Sequence, residues 1–418
     1  MKQLIVLGNG FDLACELKSS YGDFFLARFN ELFCTKGEKF NSLEEMGGVL
    51  DKKRKDILLD ICSTRNNINA LTGSVHDCDY FKKYHEKWDN NAQLNRWDII
   101  FLFAQFCIEQ SIDAYEWQDV ETIIFEVISI ALKSNYNSKI KYKRDLILGT
   151  KSWKGEELFK KLIYDISYVG KNTSEEIATE LLEELKKFET NFSNFISKQV
   201  NLDNSKQGYV SNAVDLYEKI SKYSKSKAHL SGDKVDVLSF NYSLDEKFVD
   251  IIDQEIDDKR LNSWSNIHGI AHSKKTPYYP APIFGIDNHG ILDQNDLRIL
   301  FTKPYRIIDE DINSARSAEG YEDTDLISIY GHSLSEADYS YFETLFDENK
   351  LYYSKCKIEY YYYPGINESE KILKRREAIT RIYNLLTNYG KTLSDTHGSS
   401  IVNKLNLENR ISVIPTNN

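Results

Sequence analysis

The fold is decided by residues 4–12, which read LIVLGNGFD. Residues 2–7 form a short apolar run that a glycine ends, a pattern typical of a buried strand. Residues 12–30 then have helical spacing, with five candidate core side chains: Leu13, Leu17, Phe24, Phe25 and Phe29. A strand, a glycine turn and a helix in this order open a doubly wound α/β fold.

Strand patterns return in the second half of the chain. We predict strands at residues 235–240, 264–267, 326–330, 357–363 and 411–414. Helical spacing dominates the region between, most clearly at residues 97–110, 116–133 and 173–200. The sequence therefore predicts a Rossmann-like parallel sheet from residues 1–30 and 235–418, with residues 31–234 as a large inserted helical lobe.

The composition is that of an acidic chain long enough for two or three domains. Its 418 residues include 53 basic and 64 acidic side chains, a net charge of −11. This balance argues against a general nucleic-acid binder, which needs a basic surface. The six cysteines form no Cys-x-x-Cys pair, so we expect free thiols in a reducing compartment. Without a signal peptide or an apolar run that could span a bilayer, we expect a cytoplasmic protein that is not bound to membranes.

Polar turns follow several of the predicted strands, where ligands bind in open α/β sheets. In the first turn, Gly8, Asn9 and Gly10 would let the backbone approach a pyrophosphate, and the next helix offers free N–H groups. Asp12 could bond a ribose hydroxyl. Because Leu13 replaces the third glycine of the dinucleotide fingerprint, the alternative is a packing turn in which Asp12 caps the helix.

Asn241 and His268 follow two further predicted strands. The Asn241 amide offers both a donor and an acceptor, which suits holding a water and a sugar hydroxyl together. The alternative is an amide that only satisfies the backbone of a turn. His268 has the side chain best suited to proton transfer near neutral pH, and Gly269 after it leaves space for a ligand.

The fourth turn contains Gly331, His332, Ser333 and Asp338. A glycine, a hydroxyl and an acid after a strand suit the binding of a ribose or a phosphate. The same residues also fit a helix start, with Ser335 as its cap and Asp338 as its acidic partner. Both interpretations can hold together.

The motifs of metal and serine hydrolases are missing. The chain has no His-Glu-x-x-His, no Walker loop and no Gly-x-Ser-x-Gly, and we expect no metal. Asp119 and Glu121 are two residues apart in a helical pattern, so they do not share a helix face, which argues against a paired acid/base site within that helix. The alternative is favourable acidic charge at a helix start. Lys303 could meet an anionic ligand, or lie on the solvated surface.

Together these motifs resemble the AbiH family of bacteriophage abortive-infection proteins. Five segments carry the resemblance, in the family's order: Gly8–Asp12, Trp117–Glu121, Ser239–Tyr242, His268-Gly269 and Gly331–Asp338. It covers essentially the whole chain and extends more distantly to sirtuin-like NAD-consuming domains. The chain lacks their four-cysteine zinc module, which argues against protein deacetylation.

The sirtuin resemblance implies a role for each turn. Gly8 and Gly10 would hold the dinucleotide, and Gly331 with Ser333 would receive its adenosine side. Asn241 and His268 would act at the nicotinamide ribose. The family resemblance thus implies an abortive-infection effector with NAD as its substrate, cleaved through an oxocarbenium-like transition state.

Two other functions stay open from the sequence. One is a nucleotide-binding sensor that leaves its ligand unchanged. The other is a metal-dependent nuclease that uses Asp12, Asp119 and Glu121. For the helical lobe we expect homo-oligomerisation or the sensing of a phage-derived or partner-protein trigger.

Overall fold

The computed structural model describes most of the sheet region and parts of the region between. The described residues are 1–33, 39–42, 45, 95–107, 117–132, 163, 167, 173–202, 208–222, 233–271, 281–288, 291, 293, 295–315, 320–335, 338–393 and 398–416. The chain divides into two compact units. The first comprises Met1–Ser19, Ile196–Pro282 and Ile307–Asn418, and the second Ser20–Phe195 and Ile283–Arg306. The domain bounds predicted from the sequence stay a prediction, since much of residues 31–234 lies outside the described residues.

The first unit contains a six-stranded parallel sheet. Its strands are β1 (Lys2–Leu7), β2 (Lys234–Ser239), β3 (Leu261–Asn266), β4 (Leu326–Tyr330), β5 (Lys357–Tyr362) and β6 (Ile411–Pro415). The strand order is β3-β2-β1-β4-β5-β6. This is the order of the doubly wound fold, whose winding reverses between β1 and β4. The predicted Rossmann-like α/β fold is confirmed.

Local sequence explains why these strands form. β1 and β4 are short, almost wholly apolar runs that are buried on both faces, as central parallel strands must be. β3 starts at Leu261, three residues earlier than predicted. The prediction missed this start because the first half of the strand is polar. There, Ser263 Oγ donates to Asp236 Oδ1 at 2.6 Å and Asn262 Nδ2 donates to the same oxygen at 2.9 Å. A buried carboxylate on β2 thus satisfies the polar side chains of its neighbour.

The helices of the described residues are, in chain order, α1 (Gly10–Ala14), α2 (Tyr21–Phe33), α3 (Arg96–Cys107), α4 (Trp117–Ala131), α5 (Ser174–Leu202), α6 (Tyr209–Ile220), α7 (Lys247–Ile256), α8 (Lys303–Asp309), α9 (Tyr339–Glu348), α10 (Glu368–Thr392) and α11 (Ile401–Leu407). Short 3-10 helices lie at Leu297–Phe301, Ile312–Ala315 and Gly398–Ser400. Among the described helices, none is both long enough and apolar enough to cross a bilayer.

The single helix predicted over residues 12–30 is wrong. The chain forms α1 and α2 instead, and Glu16 between them has φ 67°, a left-handed conformation that no helix continues through. Leu13 consequently lies on the outer side of the short α1 and is 46% exposed, against the prediction that it is a core residue. The other four predicted core residues are buried.

Helices α6 and α7 pack with β1, β2 and β3 in the core of the first unit. Phe248 of α7 meets Trp264 of β3 edge to face, with 5.0 Å between ring centroids. The indole N–H of Trp264 donates to the carbonyl of Leu244 at 3.1 Å. Each large side chain buried in this way contributes about 1.5–3 kcal/mol to the free energy of unfolding. The helices are thereby fixed beside the strand ends that carry the site.

The second unit is built on aromatic packing and buried ion pairs. Phe24, Phe188 and Phe192 lie with ring centroids 5.3–5.4 Å apart where they meet. The Arg306 guanidinium donates to both carboxylate oxygens of Glu189 at 2.9 Å, with both side chains buried. Such a paired geometry compensates part of the cost of burying two charges.

Candidate functional site

The turns after β1 and β4 are packed backbone against backbone. The amide N–H of Gly8 donates to the Tyr330 carbonyl, and that of Gly10 to the Gly331 carbonyl, both at 2.9 Å. A Cβ on Gly8 would lie 2.5 Å from the Cα of His332, and one on Gly331 would lie 2.4 Å from the amide nitrogen of Phe11. Gly331 also has φ +68°. These positions admit only glycine.

Packing therefore requires glycine at these positions, and the role of the turn in holding a dinucleotide stays a prediction. The amides of Gly8 and Gly10 are committed to protein carbonyls and cannot also donate to a phosphate. The backbone N–H of Asn9, between them, donates to no acceptor within the described residues. The side-chain oxygen of Asn9 accepts a hydrogen bond from the Ser19 hydroxyl at 2.7 Å, which holds the Asn9 side chain in place.

Asp12 lies in the first turn of α1, where its side chain joins a buried polar cluster. Asn9 is the N-cap residue of α1, so the capping role weighed for Asp12 is wrong. Asp12 Oδ1 accepts from the Tyr209 hydroxyl and Oδ2 from the Ser243 hydroxyl, each at 2.7 Å. Burial raises the pKa of Asp12 from 3.8 to about 6, partly opposed by hydrogen bonds from Ser243, Tyr209 and Asn241.

The number of hydrogens in this cluster favours a protonated Asp12. The hydroxyl oxygens of Tyr209 and Ser243 are also 2.7 Å from each other, which makes three short contacts among three groups. With an ionised carboxylate only two hydroxyl hydrogens are available for them. A carboxylic acid supplies the third hydrogen. Asp12 then donates to one of the two hydroxyls instead of accepting from it, and the three hydrogen bonds form a closed cycle.

Asn241 follows β2 and faces the first glycine turn. Its Nδ2 donates to the Gly8 carbonyl at 3.0 Å, which directs the amide group. Its Oδ1 is buried and accepts no hydrogen bond from the described residues. Asn266 holds this turn from β3, because its Nδ2 donates to the carbonyls of Asn241 and Leu244 at 2.9 and 2.8 Å.

His268 is buried after β3, where the positive φ of Gly269 turns the chain. The centroid of its ring lies 5.4 Å from that of Phe240, and the Phe240 ring also contacts His332, with 4.5 Å between centroids. Tyr341 also contacts the His268 ring, at 5.6 Å. Phe240 thus brings the turns after β2, β3 and β4 together. His272, four residues after His268, lies outside the described residues.

His332 is held in one tautomer. Its Nδ1 accepts the Leu334 amide hydrogen at 2.9 Å, so Nε2 carries the proton and faces Asp338 Oδ2 at 3.3 Å. Its carbonyl accepts from the Tyr360 hydroxyl at 3.0 Å. Asp338, not Ser335, is the N-cap residue of α9, so the predicted cap at Ser335 is wrong.

Of the carboxylates considered for a nuclease metal site, Glu121 is paired with a lysine. Glu121 lies in the second unit, where its Oε1 pairs with the buried Lys303 ammonium at 2.5 Å. Lys303 is therefore not on the solvated surface. The side chain of Asp119 lies outside the described residues. Within the described part of the chain, no group of three or more His, Cys, Asp or Glu side chains could hold a metal ion.

Sequence reasoning missed Tyr209 and gave Asn266 no role. Tyr209 begins a helix 197 residues from Asp12, and no local pattern connects the two. Asn266 is the last residue of a strand whose polar half obscured its start. Only the three-dimensional packing of α6 and β3 reveals their contacts with the predicted residues.

The fold and these turns define a Rossmann-like α/β protein with a polar cluster beside its topological switch point. A comparison with family models matches residues 4–362 to "Bacteriophage abortive infection AbiH". The chain belongs to this family, since the match covers most of its length. Membership indicates a role in abortive infection as a defence against bacteriophages. No curated protein and no solved structure matches the chain.

Proposed function

We propose that this protein binds NAD beside the switch point of the sheet and hydrolyses its nicotinamide–ribose bond during abortive infection. One observation carries the proposal: the buried Oδ1 of Asn241 accepts no hydrogen bond from the described residues. A buried acceptor of this kind costs about 1–3 kcal/mol unless a ligand or water donates to it. A ribose hydroxyl is a donor of the required kind.

The neighbouring groups suit the rest of a nucleotide. Asn9 offers a backbone N–H in a glycine turn at a helix start, which suits a phosphate oxygen. Asp12 and Ser243 add a carboxyl and a hydroxyl next to the Asn241 turn. Gly331 and exposed Ser333 follow the adjacent strand. These positions lie at the carboxyl edge of the sheet, where doubly wound folds bind nucleotides.

The reaction needs no redox step. The oxygen of a water forms a bond to C1′ of the ribose while the C1′–N bond breaks, and nicotinamide leaves with that electron pair as a neutral base. His268 takes the proton of the attacking water, and Asn241 orients the water and the ribose hydroxyls. ADP-ribose is the second product. The transition state has oxocarbenium character, as in glycoside hydrolysis.

The test is chromatography of nicotinamide and ADP-ribose released from NAD by the full-length protein, with and without phage infection of the producing cells. We expect release by the wild type and a loss of about 100-fold or more in His268→Ala, the range of a general base. Asn241→Ala should lose activity as well. Asn406→Ala, an exposed asparagine on α11, is the matched control and should keep it.

Each other outcome has a meaning. Equal release from His268→Ala and wild type contradicts the proposed mechanism. NAD that is bound but unchanged under every condition favours the nucleotide sensor instead. Activity on nucleic acid that a chelator removes would favour the nuclease.

A further inference from the structure

The first turns of α10 are exposed on all sides. Residues 371–376 are all exposed, although six consecutive residues cover the full circumference of a helix. Ile372, at 73% exposure, and Leu373, at 42%, are among them. Ile379 and Tyr383 extend the exposed apolar surface further along the helix. Neighbouring large apolar side chains in water mark a surface that another molecule covers.

The same turns are basic in an acidic chain. Lys371, Lys374, Arg375 and Arg376 lie within six residues, while the chain has a net charge of −11. Lys371 pairs with Glu368 at 2.7 Å and Lys374 with Glu377 at 3.1 Å. Neither Arg375 nor Arg376 forms an ion pair with any described residue. This surface, the basic end of α10, therefore fits a partner that presents carboxylates.

The chain itself carries a matching surface on α7. Glu246, Asp250 and Asp253 follow each other at intervals of four and three residues, which places them on one helix face, and all three are exposed. Val249 lies among them and is only half-buried, so the acidic face of α7 includes apolar surface. None of the three carboxylates has an ion-pair partner within the described residues.

The two surfaces cannot meet within one copy of the sheet. Helix α7 connects β2 to β3, the strand at one edge, and α10 connects β5 to β6, the strand at the other edge. Five strand spacings separate these edges, about 24 Å at about 4.8 Å each. A contact between the two surfaces therefore joins different molecules.

We propose that the basic end of α10 in one copy docks on the acidic face of α7 in a second copy. Charge complementarity selects this pairing, because a contact of α10 with α10 would place arginines against arginines. The exposed Ile372 and Leu373 would then be covered beside Val249. A two-fold dimer would engage both surfaces of each copy, whereas a head-to-tail dimer would leave one basic and one acidic surface for a further copy.

Sedimentation velocity of the full-length protein over a range of concentrations tests this contact. We expect wild-type self-association that weakens as ionic strength rises, because salt screens exposed charges. R375E/R376E should weaken association at least about tenfold, and so should D250R/D253R. An equimolar mixture of the two variants should associate again, because each then meets a surface of opposite charge.

The control is K198E/K355E, which reverses two exposed lysines that lie on neither α7 nor α10 and should associate like the wild type. A wild type that stays monomeric at all concentrations at low ionic strength overturns the proposal. So does a mixture of the two variants that fails to associate. Binding of a monomeric wild type to vesicles with anionic lipid, lost in R375E/R376E, would also overturn it and assign the surface to lipid. Circular dichroism of each variant shows whether the fold is retained.

Discussion

The carboxyl group of Asp12 titrates near neutral pH because it is buried among hydroxyl groups. Its pKa is raised from 3.8 to about 6, so the folded state holds the proton more tightly than the unfolded state. The Asp12 contribution to stability is therefore present at low pH and is lost as pH rises from about 4 to about 6. A difference of about two pKa units corresponds to about 3 kcal/mol. We expect the free energy of unfolding of Asp12→Asn to increase relative to that of the wild type by up to about 3 kcal/mol as the pH rises from 4 to 7.

Urea unfolding of both proteins across this pH range measures the difference. Asp250→Asn replaces an exposed aspartate on α7 and should give a pH profile parallel to the wild type. If the Asp12→Asn profile is also parallel, the carboxyl group does not titrate in the folded protein within this range. The closed network with Tyr209 and Ser243 would then need another explanation.

The sequence indicated the main residues of the candidate site but not their partners. Asn241 and His268 could be selected because each directly follows a predicted strand, and Asp12 because it ends the glycine turn after the first strand; ligands bind at this edge of a parallel sheet. The contact of Asp12 with Tyr209 depends on how α6 packs, which no local pattern encodes. Nor does a local pattern encode the contacts of the Phe240 ring with His268 and with His332.

At the scale of elements, the turns after β1 and β4 should tolerate no side chain. A Cβ at Gly331 would lie 2.4 Å from the backbone nitrogen of Phe11, and its φ of +68° disfavours any other residue. The conformation alone costs about 1–2 kcal/mol and the overlap about 1–3 more. We expect Gly331→Ala to lower the free energy of unfolding by about 3 kcal/mol or more, measured by urea unfolding.

Gly320 provides the control for this substitution. It also has a positive φ, +135°, but a Cβ there would meet the carboxylate end of Glu322, with Oε2 at 2.6 Å, on an exposed side chain that can rotate away. Gly320→Ala should therefore cost about 1–3 kcal/mol, the conformational part alone. Equal losses for the two variants would show that the close backbone contact is not what requires Gly331.

Strands were the elements that the sequence predicted best. Buried parallel strands are short, largely apolar runs, as β1, β2 and β4 are, and this pattern located them. β3 is half polar and its predicted start was shifted, and β6 is only partly buried. Helix ends were harder to predict, because helical spacing continues past Glu16 although the backbone breaks there. A left-handed residue other than glycine leaves no sequence signal of this kind.

At the scale of the whole molecule, the sheet joins residues that are far apart in the chain. Lys2 of β1 pairs with Lys234 of β2, so a long segment intervenes between neighbouring strands. The entropic cost of closing such a loop grows only slowly with its length, which is why an insertion there is tolerated. Composition alone could not predict this arrangement. It followed from the order in which strand and helix patterns alternate.

A ligand that binds only the folded protein must stabilise it, which gives a test of NAD binding that does not depend on hydrolysis. At a concentration 100-fold above the Kd, binding contributes about 2.7 kcal/mol and raises the melting temperature. We expect NAD to raise it in wild type and in His268→Ala, in which the dinucleotide stays intact. Asn241→Ala should show little change, because the buried acceptor is gone. A rise in Asn241→Ala as large as in wild type would place the dinucleotide away from this edge of the sheet, and no rise in any variant would exclude NAD as the ligand.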